Sequence, residues 1–211
     1  MRDLVHSNFV KVCGVTSIDD ATLVHDAGAD ALGLIIAPSR RRVTVTEACE
    51  VAALAKDKLL SVLVVRELDD ETILDAVNRI GPDAVQLHDA VSPALGAGLR
   101  ERGHLVIRAL AIGSDEFWRF DDSTVDAVLL DGQRPGSGAV HDWHDVEQRS
   151  WTRPIIAAGG LTSSNVSEII SRPWVWGVDV ASGVETSPGH KDRDAVAAFV
   201  ANARDAFAGR P

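Results

Sequence analysis

Short, unbroken apolar runs alternate along this chain with segments whose apolar positions recur at helical spacing. The runs lie at 9–15, 31–36, 60–65, 84–87, 105–111, 127–130, 154–158 and 177–181. They are rich in β-branched residues and lack the alternation of a strand with one wet face. Such runs are expected of parallel strands covered on both sides.

The segments between them carry helix signals. Ser17-Ile18-Asp19-Asp20 precedes a helix over 21–27, which Gly28 ends. Thr46-Glu47 opens one over 48–55, and Asp69-Asp70-Glu71 opens one over 72–79 that Gly81-Pro82 stops. Ser163-Ser164-Asn165 opens a helix ahead of Arg172-Pro173, and 192–208 reads as a long final helix. The segments 94–101, interrupted by Gly96 and Gly98, and 114–120 are the less regular members of the series.

Eight alternating β and α elements with no closing antiparallel hairpin predict the α/β class, as one (β/α)8 TIM barrel over residues 1–211. A doubly wound sheet is the competing architecture. No linker or shift of composition divides the chain. Gly28-Ala29-Asp30-Ala31 and Gly81-Pro82-Asp83-Ala84 repeat one layout: a helix end, a turn, a strand start.

The formal net charge of −10 argues against broad nucleic-acid or anionic-membrane binding. It is compatible with a small anionic ligand, because backbone dipoles and one or two arginines act locally. The two cysteines, Cys13 and Cys49, form no Cys-x-x-Cys pair, which fits a reducing compartment and offers neither a disulfide framework nor a zinc site. No signal peptide or membrane-length apolar run is evident. The expectation is a soluble, cytoplasmic protein, a monomer by default with a homodimer as the alternative.

In such a barrel the active site lies at the C-terminal ends of the strands. Those ends carry Cys13, Arg41 between Arg40 and Arg42, His88, Asp131, Gly159-Gly160, and Asp179 ahead of Ser182-Gly183. Cys13 and Asp131 form a candidate acid–base pair: a thiolate can take a proton from carbon and a carboxylic acid can deliver one. The plainer alternatives are a buried apolar cysteine and a turn-capping carboxylate. Arg41 is a candidate fork for a carboxylate, set against a solvated basic loop. His88 is open between a site residue and a satisfied strand end. Cys49 reads as core.

The small residues after the seventh and eighth runs let backbone N–H groups approach a ligand closely, and a helix opening there would add positive potential. With Gly136-Ser137-Gly138, these turns predict a phosphate grip. No metal-ligand spacing, dinucleotide fingerprint or P-loop occurs, and His141 and His144 read as surface residues.

Taken in order, these pieces resemble the phosphoribosylanthranilate isomerase family over nearly the whole chain. The matching residues are Lys11-Val12-Cys13-Gly14-Val15-Thr16, Gly28-Ala29-Asp30-Ala31-Leu32-Gly33, Pro38-Ser39 with Arg41 and Val43, and Val85-Gln86-Leu87-His88. They continue with Leu129-Leu130-Asp131, Gly136-Ser137-Gly138, Asp142-Trp143, Ala158-Gly159-Gly160-Leu161, Asn165-Val166 and the run from Val178 to Glu185.

The resemblance implies Cys13 as general base, Asp131 as general acid and Arg41 at the anthranilate carboxylate. It places Asp179 near the anthranilate end, with His88 also among the substrate contacts. It assigns the phosphate to Gly136, Gly138, Gly159, Gly160, Ser182 and Gly183. The implied reaction is a cofactor-free Amadori rearrangement of a phosphorylated small molecule, without a metal. The chain departs from the family pattern at Asp89 and Pro135, each in place of glycine, and at Ala181, in place of serine. Two other readings remain: an isomerase for another N-substituted ribosylamine, and a non-catalytic phosphate-binding barrel.

Overall fold

The structure is a computed structural model and describes residues 8–89, 92–132 and 143–210. Eight parallel strands close into a barrel in chain order. They are β1 (Phe9–Cys13), β2 (Ala31–Ile35), β3 (Leu60–Val65), β4 (Ala84–Leu87), β5 (Leu105–Ala111), β6 (Ala127–Asp131), β7 (Ile155–Ala157) and β8 (Val175–Val180). The helices that follow them are α1 (Ile18–Asp26), α2 (Val45–Ala55), α3 (Asp70–Ile80), α4 (Pro93–Glu101), α5 (Asp115–Arg119), α6 (His144–Glu147), α7 (Val166–Ile170) and α8 (Arg193–Ala208). Pairing of β8 with β1, from Phe9 beside Gly177 to Val12 beside Val180, closes the sheet and removes the doubly wound alternative.

The side-chain period of two divides each strand between two cores. Inward-facing Phe9, Cys13, Val62, Val64, Ile107, Leu129 and Ile156 fill the barrel. Outward-facing Val10, Val12, Leu32, Leu34, Leu63, Val85 and Leu130 pack under the helices. Burial of each large apolar side chain contributes about 1.5–3 kcal/mol. The continuous apolar character of the runs thus reflects two buried faces.

Two local expectations change. Thr44, rather than Thr46, caps α2: its hydroxyl accepts from the Glu47 N–H while the Glu47 carboxylate accepts from the Thr44 N–H, a capping box. An antiparallel hairpin, unexpected from the sequence, joins β9 (Glu185–Ser187) to β10 (His190–Lys191) ahead of α8. Consequently β8 opens onto a single 3-10 turn at Ser182–Val184 and not onto a long helix, which begins only at Arg193. Among the described residues no helix is long and apolar enough to cross a membrane.

The repeated Gly-x-Asp-Ala layout has a definite purpose at the N-terminal end of the barrel. Asp30 accepts from the N–H of Val10 at 2.6 Å, and Asp83 accepts from the N–H and hydroxyl of Ser61, both at 2.8 Å. Asp126 repeats this with the N–H of Val106 at 2.8 Å. In each case the aspartate's own N–H donates back to the carbonyl of the residue it clasps. These carboxylates satisfy strand-end donors that would otherwise be unpaired.

Candidate active site

A cleft of about 370 Å³ opens at the C-terminal ends of the strands. Cys13, Arg40, Arg41, Gln86, His88, Asp131, Gly159, Gly160, Asp179, Ala181, Ser182 and Pro188 are among the residues that line it. Nearly all the described residues selected from the sequence therefore meet in one place. Gly136 and Gly138, with Pro135, lie outside the described residues.

Cys13 ends β1 on the inward face, two residues after Lys11 and four after Phe9. Its neighbour on β2 is Gly33. A Cβ at Gly33 would come within 2.7 Å of the Cys13 Sγ, so the glycine is the space in which the thiol sits. Burial pushes the thiol above its ordinary range, and the ammonium groups of Lys11 and Lys191 oppose that push.

Lys11 is fully buried in the barrel and donates to Asp179 Oδ1 at 2.9 Å. Burial acts against its charge, but Asp179 and Cys13 outweigh it and hold the ammonium protonated. Burial pushes the Asp179 carboxyl up, against the pull of Lys11. Asp131, at the end of β6, is raised to about 6, first by burial and then by the charge of Asp179, while the Gly132 N–H and Lys11 pull it down. It is therefore a carboxylic acid that keeps its proton far closer to neutrality than an exposed aspartate does.

His88 is lowered to about 4, chiefly by burial, with further contributions from Lys11, Arg66 and Arg108, so it is neutral at physiological pH. Gln86 Nε2 lies 2.9 Å from His88 Nε2. With the amide donating, the imidazole is held as its Nδ1–H tautomer. Gln86 Oε1 is buried and has no partner among the described residues.

Arg41 does not stand free in a basic loop. Its Nε and Nη2 donate to the two Glu185 carboxylate oxygens at 2.7 to 3.0 Å. Gly14, at φ +74°, leaves room for the arginine stem: a Cβ there would lie 2.5 Å from the Arg41 Cδ.

The β7 and β8 turns touch. Gly159 and Gly160 both have positive φ, +89° and +67°, which L side chains adopt with difficulty. Asn165 braces this turn, accepting from the Thr162 N–H at 2.8 Å and donating to the Gly160 carbonyl at 3.0 Å. A Cβ at Gly183 would fall 1.9 Å from the Leu161 carbonyl oxygen. Gly183 thus serves the approach of the two turns, and Ser182 rather than Gly183 lines the cleft.

Four polar residues at or beside this cleft received no role from the sequence: Lys11, Gln86, Glu185 and Lys191. Lys11 and Gln86 were detectable as polar residues on the inward phase of apolar strands. Glu185 and Lys191 gave no comparable signal, because their partners Arg41 and Cys13 lie 144 and 178 residues away. Of the departures from the family pattern, Asp89 accepts from the Glu67 N–H and so ties the end of β4 to the loop after β3. Among the described residues no cluster of His, Cys, Asp and Glu is arranged to hold a metal ion.

Comparison with known proteins agrees with this geometry. Residues 10–202 match the family model of N-(5'phosphoribosyl)anthranilate (PRA) isomerase. The N-(5'-phosphoribosyl)anthranilate isomerase of Desulforudis audaxviator is 38% identical over 205 residues, covering 94% of this chain and 98% of that protein. The crystal structure of phosphoribosyl anthranilate isomerase from Thermotoga maritima superposes with a TM-score of 0.84 at 32% identity, covering 93% of this chain and 98% of that one. A phosphoribosyl anthranilate isomerase in complex with reduced 1-(o-carboxyphenylamino)-1-deoxyribulose 5-phosphate gives a TM-score of 0.81 at 31% identity, with the same coverage. A barrel whose strand ends gather a buried thiol, a carboxyl of raised pKa and an anchored arginine, and which matches these proteins over more than nine-tenths of its length, belongs to the phosphoribosylanthranilate isomerase family.

Proposed function

We propose that Cys13 and Asp131 divide the proton transfers of the family's reaction between them. That reaction is the Amadori rearrangement of N-(5-phosphoribosyl)anthranilate to 1-(2-carboxyphenylamino)-1-deoxyribulose 5-phosphate, a step of tryptophan biosynthesis. Asp131 protonates the furanose ring oxygen, the ring opens, and a Schiff base forms. Cys13 as thiolate removes the C2′ proton to give an enolamine, which tautomerises to the ketose. The substrate's own nitrogen accepts the electrons, so this reading includes no cofactor.

The observation that carries it is the Asp131 carboxyl, raised to about 6 in the same cleft as Cys13. An aspartate at the ordinary 3.8 would hold almost no proton to give at neutral pH. Lys11 and Lys191 favour the thiolate against the cost of burial. The substrate phosphate is assigned to the Gly159-Gly160 and Ser182-Gly183 turns, with Gly136 and Gly138 retained from the sequence reading. Arg41 takes the anthranilate carboxylate: its Nη1 makes no hydrogen bond to another described residue, and Glu185 already orients the fork. His88, neutral, and Asp179 face the anthranilate end.

The test is turnover of freshly prepared phosphoribosylanthranilate, followed by loss of its fluorescence, with the wild type beside Cys13→Ala. The wild type turns over and the variant is slower by about 10²–10⁴-fold. Unchanged turnover by a folded Cys13→Ala removes the base assignment. A folded wild type without turnover removes the substrate assignment.

A further inference from the structure

Glu185 lies at the centre of a buried ion network beside the cleft. Its side chain is 3% exposed and that of Lys191 is 0% exposed. On one side Glu185 holds Arg41 through three N–H···O contacts, and on the other it accepts from Lys191 Nζ at 2.7 Å. Lys191 also donates to the carbonyl of Cys13 at 2.7 Å and to that of Ala181 at 3.3 Å. Burying such charges costs several kcal/mol per ion before pairing, and apolar replacements often match the stability of the paired network. Stability alone is therefore a weak reason for this arrangement.

Geometry supplies a stronger one. An arginine side chain is rich in rotamers, and that freedom must otherwise be removed when a ligand binds. Glu185 removes it beforehand, spending Nε and one edge of Nη2 and leaving Nη1 for a ligand. Gly14 shapes the groove for the arginine stem, and Lys191 offsets the second share of the Glu185 charge. The fork is pre-organised.

We infer that Glu185 is a positioning residue: it aims the Arg41 guanidinium at the substrate's aryl carboxylate and thereby sets selectivity for a carboxylated aryl amine. This rests on the reading of Arg41 given above. Glu185 touches no reacting atom, so its contribution lies in substrate binding and not in the proton transfers.

The test compares wild type, Glu185→Gln and Glu185→Asp on two substrates, phosphoribosylanthranilate and N-(5-phosphoribosyl)aniline, which lacks the carboxylate. Glu185→Gln raises KM for the anthranilate substrate about tenfold, leaves kcat nearly unchanged, and leaves the aniline substrate unaffected. Glu185→Asp keeps the buried charge but shortens its reach, and it shows the same pattern more weakly. It is the variant to read if the glutamine form does not fold. Equal losses on both substrates, or a fall in kcat alone, overturn the inference and leave Glu185 a structural residue. A wild type that does not distinguish the substrates removes the Arg41 reading, and the inference with it.

Discussion

Aspartates stand at both ends of this barrel, and their surroundings are opposite. At the N-terminal end Asp30, Asp83 and Asp126 each accept from backbone N–H groups of a neighbouring strand. At the C-terminal end the half-buried Asp131 and the buried Asp179 line the same cleft, and their pKa values rise. The first group is matched to the backbone donors around it. The second group is placed where charge is disfavoured, and Lys11 is the counter-ion that keeps the site tolerable. One residue type thus fastens the scaffold at one end and has its pKa raised at the other, as the functional asymmetry of such barrels leads one to expect.

The sharpest way to break this contrast is Asp131→Asn. An amide cannot replace the acid, so kcat falls by about 10²–10⁴-fold while the fold is kept. Near-normal turnover would place the acid elsewhere. Asp83→Ala tests the opposite end. It removes the acceptor for two Ser61 donors, so stability falls by about 2–3 kcal/mol. That corresponds to a Tm lower by roughly 5–10 °C, read by thermal unfolding, with KM and kcat unchanged. A kinetic defect without a stability defect would reverse the assignment of the two ends.

The smallest effect is the most diagnostic. The Asp131 carboxyl is raised from 3.8 to about 6, so its favourable contribution to stability is complete below pH 3.8 and is lost as pH rises through about 6. Asp131→Asn therefore unfolds at higher denaturant than wild type at pH 8, by on the order of 1–3 kcal/mol. The gain fades as the pH is lowered toward 4. A variant less stable than wild type at pH 8 would show that the carboxylate is well solvated or paired, and the acid assignment would lose its physical basis.

Much of the site was legible before any tertiary structure. Asp131 stood out as a carboxylate ending an apolar run, and Cys13 as the last inward residue of another. Gly159 and Gly160 stood out as a pair that no regular strand or helix would choose. The reading went astray where partners come from far along the chain. Arg41 was a candidate carboxylate fork set against a solvated loop, and short-range pattern could not show what orients it, because its partner Glu185 is 144 residues away. The missing Cβ of Gly183 accommodates the Leu161 carbonyl, a packing role that short-range pattern does not reveal. The turn after β8 was expected to open onto a helix, whereas Pro188-Gly189 form the tip of a hairpin whose return strand holds Lys191, and the helix is capped only at Asp192.

The sequence by itself determined the alternation of strands and helices, the residues that stand at the strand ends, and the family. These follow from periodicity, capping and short motifs, all of which act within a few residues. Tertiary structure decided which groups became neighbours and hence their chemistry. Closure of β8 onto β1 sets Lys11 beside Asp179, and the hairpin that follows sets Lys191 beneath Cys13, 178 residues apart in the chain. Burial and the charge of those neighbours, neither of which is a property of any single residue, then raise the Asp131 pKa and keep Lys11 a cation.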